Sequence, residues 1–295
     1  MSQTTPIGGW LVSKKLQYAE EPSFGVPVSV PIYSQIGYDV PVQISAPSNL
    51  SPVLQPGSED PQVLQERRID EYAIDLQYHP FDTTFAKYGF NAQGGGSGTI
   101  DKSLTLAMSI LLGGGPTETY LQAVGCRLER ITIGGKAGGP ISVKTKIVSQ
   151  SIAVPSTTVL PGTFAQNPTS TPFLFKEGGA QPISIGGTQY NVNSISVTAN
   201  RNLDQIPQPN SEKSQIILPR ERKITGTIGL VWINTDNYSR LRNDTAFSLV
   251  WTIRTGASTM TLTGCRFKAL QSINLRPDQT VYESYAIEAV SGVLT

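Results

Sequence analysis

Ala46-Pro47-Ser48-Asn49-Leu50-Ser51-Pro52-Val53-Leu54-Gln55-Pro56-Gly57-Ser58-Glu59-Asp60-Pro61-Gln62-Val63-Leu64-Gln65-Glu66-Arg67 has a counterpart later in the chain: Ala199-Asn200-Arg201-Asn202-Leu203-Asp204-Gln205-Ile206-Pro207-Gln208-Pro209-Asn210-Ser211-Glu212-Lys213-Ser214-Gln215-Ile216-Ile217-Leu218-Pro219-Arg220. At the constant offset of 153 from Ala46 to Ala199, the residues Ala46, Asn49, Leu50, Gln55, Pro56, Ser58, Glu59, Gln62 and Arg67 recur without a gap. The likeness extends outward. Pro27-Val28-Ser29-Val30 answers Pro182-Ile183-Ser184-Ile185, Val42-Gln43-Ile44-Ser45 answers Ile195-Ser196-Val197-Thr198, and Gly125-Cys126-Arg127-Leu128 answers Gly264-Cys265-Arg266-Phe267. The expected layout is an N-terminal arm over 1–23, a first unit over 24–152, a linker over 153–178 and a second unit over 179–295. A unit written twice in one chain suits a ring in which each chain fills two places.

Composition narrows the class. The 295 residues leave room for two domains with their own cores, and the net charge of +1 gives no global field for nucleic acid or an anionic membrane. Charged residues make up 15% of the chain, against about 25% in an average soluble protein. A surface rich in Ser, Thr, Asn, Gln and Gly instead fits one that meets other protein. No apolar run reaches the length of a membrane span, and Met1-Ser2-Gln3-Thr4-Thr5-Pro6 lacks the layout of a signal peptide, so a soluble protein made in a cytoplasm is expected. The two cysteines fall at matching places in the two units and read as small buried side chains, not a bridge.

Alternation sets the fold class. Ser103–Ile110, Ile141–Ile147, Thr225–Trp232 and Phe247–Ile253 run apolar-polar with β-branched and aromatic content, which predicts antiparallel strands packed on one face. A short helix is expected in each unit, at Asp82–Gly89 with Asp as cap and Gly as stop, and at Thr235–Arg242. Asn91–Gly98 is a Gly-rich insertion found only in the first unit. The reading is all-β: two tandem β-sandwich or half-barrel domains, each with one helix and one long arm between strands.

The repeated stretch is that arm. Between paired strands a turn of about two to five residues is usual, and a longer one kept without a helix is functional or disordered. Out and back, it reaches on the order of 30 Å at about 3.3 Å per residue, enough to touch a neighbouring subunit. Leu50, Val53, Val63 and Leu64 in one arm, and Leu203, Ile206, Ile216 and Ile217 in the other, are costly to leave wet. With the recurring Asn49, Gln55, Pro56, Glu59 and Arg67, and Asn202, Gln208, Pro209, Glu212 and Arg220, they are the candidate contact residues. The arm bases differ in charge. Glu59, Asp60, Glu66, Asp70 and Glu71 stand in the first, and Lys213, Arg220, Arg222 and Lys223 in the second, which would favour meetings between unlike units.

Chemistry finds no foothold. His79 is the only histidine and precedes Pro80 at a strand end, a structural setting. One histidine and two separated cysteines cannot assemble a metal site. Gly94–Ser103 fails as a phosphate loop because Asp101 stands before Lys102 where glycine is needed. Asn49-Leu50-Ser51 and Asn243-Asp244-Thr245 match the glycosylation pattern by accident, and no carboxylate pair is marked for glycoside hydrolysis. No enzyme activity and no cofactor is expected.

Lys14-Lys15-Leu16-Gln17-Tyr18-Ala19-Glu20-Glu21-Pro22-Ser23-Phe24-Gly25-Val26-Pro27 resembles the opening of tail tube proteins of long-tailed phages and related viruses: an apolar-Tyr stretch, an acidic residue, then Ser/Thr-aromatic-Gly. The plan of each unit resembles them further, with a long arm and then Arg67-Arg68-Ile69 or Arg222-Lys223-Ile224 entering a strand. The resemblance implies a virion protein whose sheets join edge to edge into a closed inner barrel. Its rings would be stacked into a hollow tube, three chains standing in for six single-domain subunits. Its partners would be copies of itself and other tail proteins (tape measure, terminator, distal tail), assembled in the host cytoplasm. DNA would pass without specific binding along a neutral or acidic lumen, with Asp70, Glu71 and Asp75 as lining candidates. Two alternatives stay open: a distal tail or baseplate ring protein of the same fold, and a carbohydrate-binding β-sandwich with an aromatic-lined pocket.

Overall fold

A computed structural model describes residues 11–38, 40–45, 50–54, 61–66, 72–91, 102–112, 118–153, 156–165, 169–180, 182–207, 214–232, 235–274 and 280–295. In chain order these form β1 (Leu11–Glu20), β2 (Ile32–Gln35), β3 (Val42–Ser45), β4 (Leu50–Leu54), β5 (Pro61–Glu66), β6 (Tyr72–Tyr78), α1 (Thr84–Phe90), β7 (Leu104–Leu112), β8 (Glu118–Lys136), β9 (Ser142–Ser149) and β10 (Ser151–Ile152). Then follow β11 (Thr163–Phe164), a 3-10 turn (Phe175–Gly178), β12 (Ile183–Ile185), β13 (Thr188–Tyr190), β14 (Val192–Asn200), β15 (Leu203–Pro207) and β16 (Ser214–Pro219). The chain ends with β17 (Lys223–Val231), α2 (Asp236–Arg242), β18 (Phe247–Arg254), β19 (Ser258–Asn274), β20 (Tyr282–Ala289) and β21 (Ser291–Leu294). The fold is all-β, with two short helices.

One antiparallel sheet runs through the molecule in the order β3-β6-β9-β8-β14-β17-β20-β19. Its strands alternate as read. Ile74, Leu76 and Tyr78 of β6 and Tyr285 and Ile287 of β20 face the core, while Asp75 and Gln77, or Ser284 and Glu288, face the other way. The pairing order β3-β6-β9-β8 on one side of the β8/β14 seam is met again as β14-β17-β20-β19 on the other.

The long strands β8 and β19 each serve two sheets. The first part of β8 pairs with β7 and β10, and that of β19 with β18 and β21. Each strand then bends at a glycine of positive φ, Gly125 at 65° and Gly264 at 61°, and shifts register between Leu128 and Arg130, or Phe267 and Ala269. A bulge with a glycine in the left-handed region turns a strand from one sheet into another. β1 and β12 flank β7 and β18 on the outside. One contiguous core lies between the layers, including Leu104, Leu106, Ile131, Ile133, Val197, Leu249 and Trp251.

Several local expectations need revision. Leu11–Glu20, read as part of an arm, is a strand paired along its length with β7. Pro182–Ile185 answers Lys15–Tyr18, not Pro27–Val30: Ile183 and Ile185 sit opposite Trp251 and Leu249 as Leu16 and Tyr18 sit opposite Met108 and Leu106, whereas Val28 and Val30 are exposed outside any strand. Gly89 is not a helix stop, because α1 runs on through Phe90. A Cβ at Gly89 would lie 2.9 Å from Leu128 Cδ2, so this glycine lets the helix close on β8. The cap position falls to Thr83, not Asp82, and Asp82 sits one residue before the cap, where its Oδ1 accepts the Thr84 amide hydrogen at 2.9 Å. The stretch read as a linker is packed, with Phe173 and Phe175 buried and Phe164 stacked on Tyr33 at 4.9 Å.

Candidate functional site

The arms are β-hairpins, which an irregular loop of Pro, Gln and Ser did not suggest. Leu50 stands opposite Glu66, Ser51 opposite Gln65, Pro52 opposite Leu64 and Val53 opposite Val63, with a register shift before the pair Leu54–Pro61. In the second arm Leu203 stands opposite Pro219, Asp204 opposite Leu218, Gln205 opposite Ile217 and Ile206 opposite Ile216, with the shift before Pro207–Ser214. Every pair, and the irregularity itself, moves by the same 153 residues. Each hairpin forms a two-stranded sheet apart from the large one. Strands of this length span about 17–20 Å.

In the second arm the side chains explain part of the repetition. Ile217 is fully buried against the body of the molecule, Leu203, Ile206 and Ile216 are half-buried, and Leu218 is exposed. Asn202 takes a positive φ of 45°, which Asn tolerates better than other side chains. Its amide hydrogen reaches Asn200 Oδ1 at 3.2 Å and its Nδ2 donates to the Glu221 carbonyl at 3.0 Å. Arg220 is exposed and pairs with Asp204 across the hairpin base. Of the first arm, Leu50, Val53, Val63 and Leu64 are placed by their backbone pairing alone. Asn49, Gln55, Pro56, Glu59, Arg67, Gln208, Pro209 and Glu212 lie outside the described residues, as do the lumen candidates Asp70 and Glu71 and all of the Gly-rich insertion but Asn91.

The described cations of the second arm base find partners within the chain. Arg222 donates through Nη1 to the carbonyls of Phe90 and, at 3.2 Å, Gly292. Buried Arg201 donates through Nη1 to the Tyr88 carbonyl at 2.6 Å. Two arginines of the second half thus satisfy carbonyls at the end of α1 in the first, where a helix leaves acceptors unpaired. Lys223 reaches Glu288 at 3.8 Å. Sequence reasoning missed Arg201, and the only local sign was its place beside the repeated Asn202.

Asp75 lies exposed on the open face of the large sheet. Gln43, Arg130, Thr132, Lys144, Lys146 and Thr198 line a shallow depression with it, and no aromatic side chain does. Lys146 is held by Glu129 at 2.6 Å and Lys268 by Glu288 at 3.2 Å, so this face is mixed in charge and leans basic among the described residues.

The polar groups of the interior are structural. Glu21, buried, accepts the amide hydrogens of Gly25 at 2.9 Å and Gly125 at 2.8 Å and the Thr105 hydroxyl at 2.9 Å. Glu283, also buried, accepts from Asn237 Nδ2 and the Tyr285 hydroxyl. His79 Nδ1 lies 2.8 Å from the Ile141 carbonyl and acts as its donor. Burial pushes both free thiols up, Cys265 to about 12 and Cys126 well above its ordinary value, which leaves them unreactive. Among the described residues no His, Cys, Asp and Glu cluster can hold a metal ion, and no helix is long and apolar enough to cross a membrane.

A separate hairpin in each half, and a large sheet whose end strands pair on one side only among the described residues, are features of an assembling subunit. The family model described as phage tail tube protein matches residues 13–289. The chain belongs to the phage tail tube protein family. This tail tube protein is therefore a structural component of the virion tail, one that assembles with copies of itself and with other tail proteins. No curated protein matches it. Within the tail tube match fall both hairpins, both bent strands and the β8/β14 seam.

Proposed function

We propose that this tail tube protein carries the tube domain twice and supplies two adjacent wall positions of a ring of three chains. Stacked rings form a hollow tube that conducts DNA. The observation that carries the reading is the β8/β14 seam, where Arg130–Lys136 pair with Ser194–Asn200 in one unbroken antiparallel register. Four strands on each side are thereby joined edge to edge, as neighbouring wall positions of a closed barrel must be. Three such chains in succession close the sheet and remove its free edges.

On this reading the open face bearing Asp75, Arg130 and Lys144 lines the bore, and its mixed charge holds DNA weakly. The hairpins, each paired as a sheet of its own, clasp the next ring. Electron microscopy of the purified protein tests the reading. Long hollow tubes of three-fold chain stoichiometry are expected. Isolated rings that never stack would point to a distal tail role, and a monodisperse monomer under all assembly conditions would overturn the proposal.

A further inference from the structure

The open face of the large sheet carries uncompensated charge on one side of the β8/β14 seam and paired charge on the other. Arg130 and Lys136 of β8 and Lys144 of β9 are exposed, and none of the three makes an ion pair among the described residues. The register brings them together: Arg130 lies opposite Lys146, and Thr132, two residues further along β8, lies opposite Lys144. Two adjoining depressions share Thr132 and Lys144, one reaching Arg130 and the other Lys136. At about 3.3 Å per residue the cations cover about 20 Å along β8. The anions of this half are spent on a fourth cation, since Glu129 pairs with Lys146 and Asp75 stands opposite it. In the second half Lys223 and Lys268 both reach Glu288.

The fold does not require the extra cations. The cross-strand pair of Arg130 with Lys146 corresponds to that of Ala269 with Ala286, and the pair of Thr132 with Lys144 to that of Ser272 with Ser284. Asp75 opposite Lys146 corresponds to Thr227 opposite Ala286. The same sheet positions are thus filled by Ala, Ser and Thr in the second half, where the pairing is equally complete. Unpaired Arg and Lys at places that fold as well with Ala and Ser point to a ligand, not to folding.

The lining fits a phosphate backbone. Thr132, Ser142, Ser194, Ser196 and Thr198 stand among the cations, and hydroxyls of this kind bond phosphate oxygens alongside Arg and Lys. No Phe, Tyr or Trp lines either depression, so nothing there stacks on a base. None of the exposed large apolar side chains lies in them either, which leaves no apolar centre for a protein partner. We infer that the first half of the open face binds the phosphate backbone of double-stranded DNA through Arg130, Lys136 and Lys144, without regard to sequence. The inference rests on the proposed bore and gives it a pattern: in a ring of three chains, three basic stripes alternate with three of paired charge. Contact along such stripes is governed by salt.

The test follows the fluorescence anisotropy of a labelled duplex of about 20 base pairs with the full, unassembled chain, from about 50 to about 200 mM salt. With three phosphates neutralised per chain, affinity should fall about 40-fold over that range. A variant with Arg130→Ser, Lys136→Ser and Lys144→Ser should lose most of this salt dependence and melt at the wild-type temperature. A variant with Lys223→Ser and Lys268→Ser should keep the wild-type slope. If the triple variant keeps that slope, or if the wild type forms tubes yet binds no duplex, the inference is overturned and the tube stands. Tighter binding of poly-L-glutamate of equal charge would assign the face to an acidic protein and would also overturn it. Salt-dependent binding of the duplex by a chain that never forms tubes would overturn the bore and leave the phosphate contact.

Discussion

The Glu21 carboxylate accepts the amide hydrogen of Gly125 at 2.8 Å, and so ties the N-terminal motif to the bend of β8. The motif gains a physical reason from this contact. Glu21 also takes the Gly25 amide hydrogen, which closes the Ser23-Phe24-Gly25 turn, and Arg127 lies over the Phe24 ring at 5.7 Å from its centroid. Three neutral donors thus satisfy this buried side chain.

Glu21→Ala removes the acceptor for all three. A buried donor left unsatisfied costs about 1–3 kcal/mol, so a total loss of about 3 kcal/mol or more is expected. Glu21→Gln keeps an acceptor oxygen and should lose less than half of that. Urea unfolding of the free chain measures both, and equal losses would contradict the role given to the carboxylate.

Gly125 and Gly264 occupy the same bend in β8 and β19, but alanine should not be tolerated equally. The left-handed backbone alone costs a non-glycine residue about 1–2 kcal/mol at each. At Gly125 a Cβ would lie 2.6 Å from Gln150 Cβ, close to the backbone and unable to move aside. At Gly264 it would lie 2.8 Å from Cγ2 of Val290, a side chain 81% exposed and free to turn. Gly264→Ala should therefore cost about 1–2 kcal/mol, and Gly125→Ala about twice as much, read from the midpoints of chemical unfolding.

Much of this was legible in the residues because burial on one face writes itself as alternation. Ser103–Ile110 and Phe247–Ile253 match β7 (Leu104–Leu112) and β18 (Phe247–Arg254) to within two residues at each end. The hairpins were not legible as strands: Pro52, Pro61, Pro207 and Pro219 read as loop, yet Pro61 and Pro207 fall next to the register shifts, where a missing donor costs least. The seam was hidden for another reason. Ile133 and Val197 are distant in sequence, and nothing local to either says which strand it will meet.

Stability should fall in acid for an identifiable reason. Burial pushes the Glu20 carboxyl up, but the Lys102 ammonium and the Tyr88 hydroxyl outweigh it and hold the group below its ordinary value of 4.5. At Glu177 burial is likewise outweighed by Arg254, whose Nε lies 2.8 Å away, and by the Leu174 amide. A carboxylate depressed in the folded state stabilises above its unfolded value and loses that contribution as pH falls through the folded one. The stability of the wild type should thus decline as pH drops below about 4.5, and more steeply than that of a Glu20→Gln, Glu177→Gln double variant. Parallel melting-temperature profiles from pH 7 to 3 would refute the assignment.

Removing the hairpins separates folding from assembly. Among the described residues β4 and β5 pair only with each other, and Leu50 already stands opposite Glu66, so deletion of Ser51–Gln65 joins two neighbouring backbones and leaves the strands of the large sheet in place. Deletion of Gln205–Leu218 joins Asp204 to Pro219, which border the Leu203–Pro219 pair, but it also removes the buried Ile217. Loss of such a side chain costs about 2–5 kcal/mol, so the second deletion should lower the melting temperature where the first does not. Both chains should remain soluble with β-rich circular dichroism spectra. If the hairpins clasp the next ring as proposed, neither should give tubes under the electron microscope, and single rings are the expected product. Tubes of normal length from either deletion would show that stacking does not depend on that arm, and would move the inter-ring contact to the sheet ends.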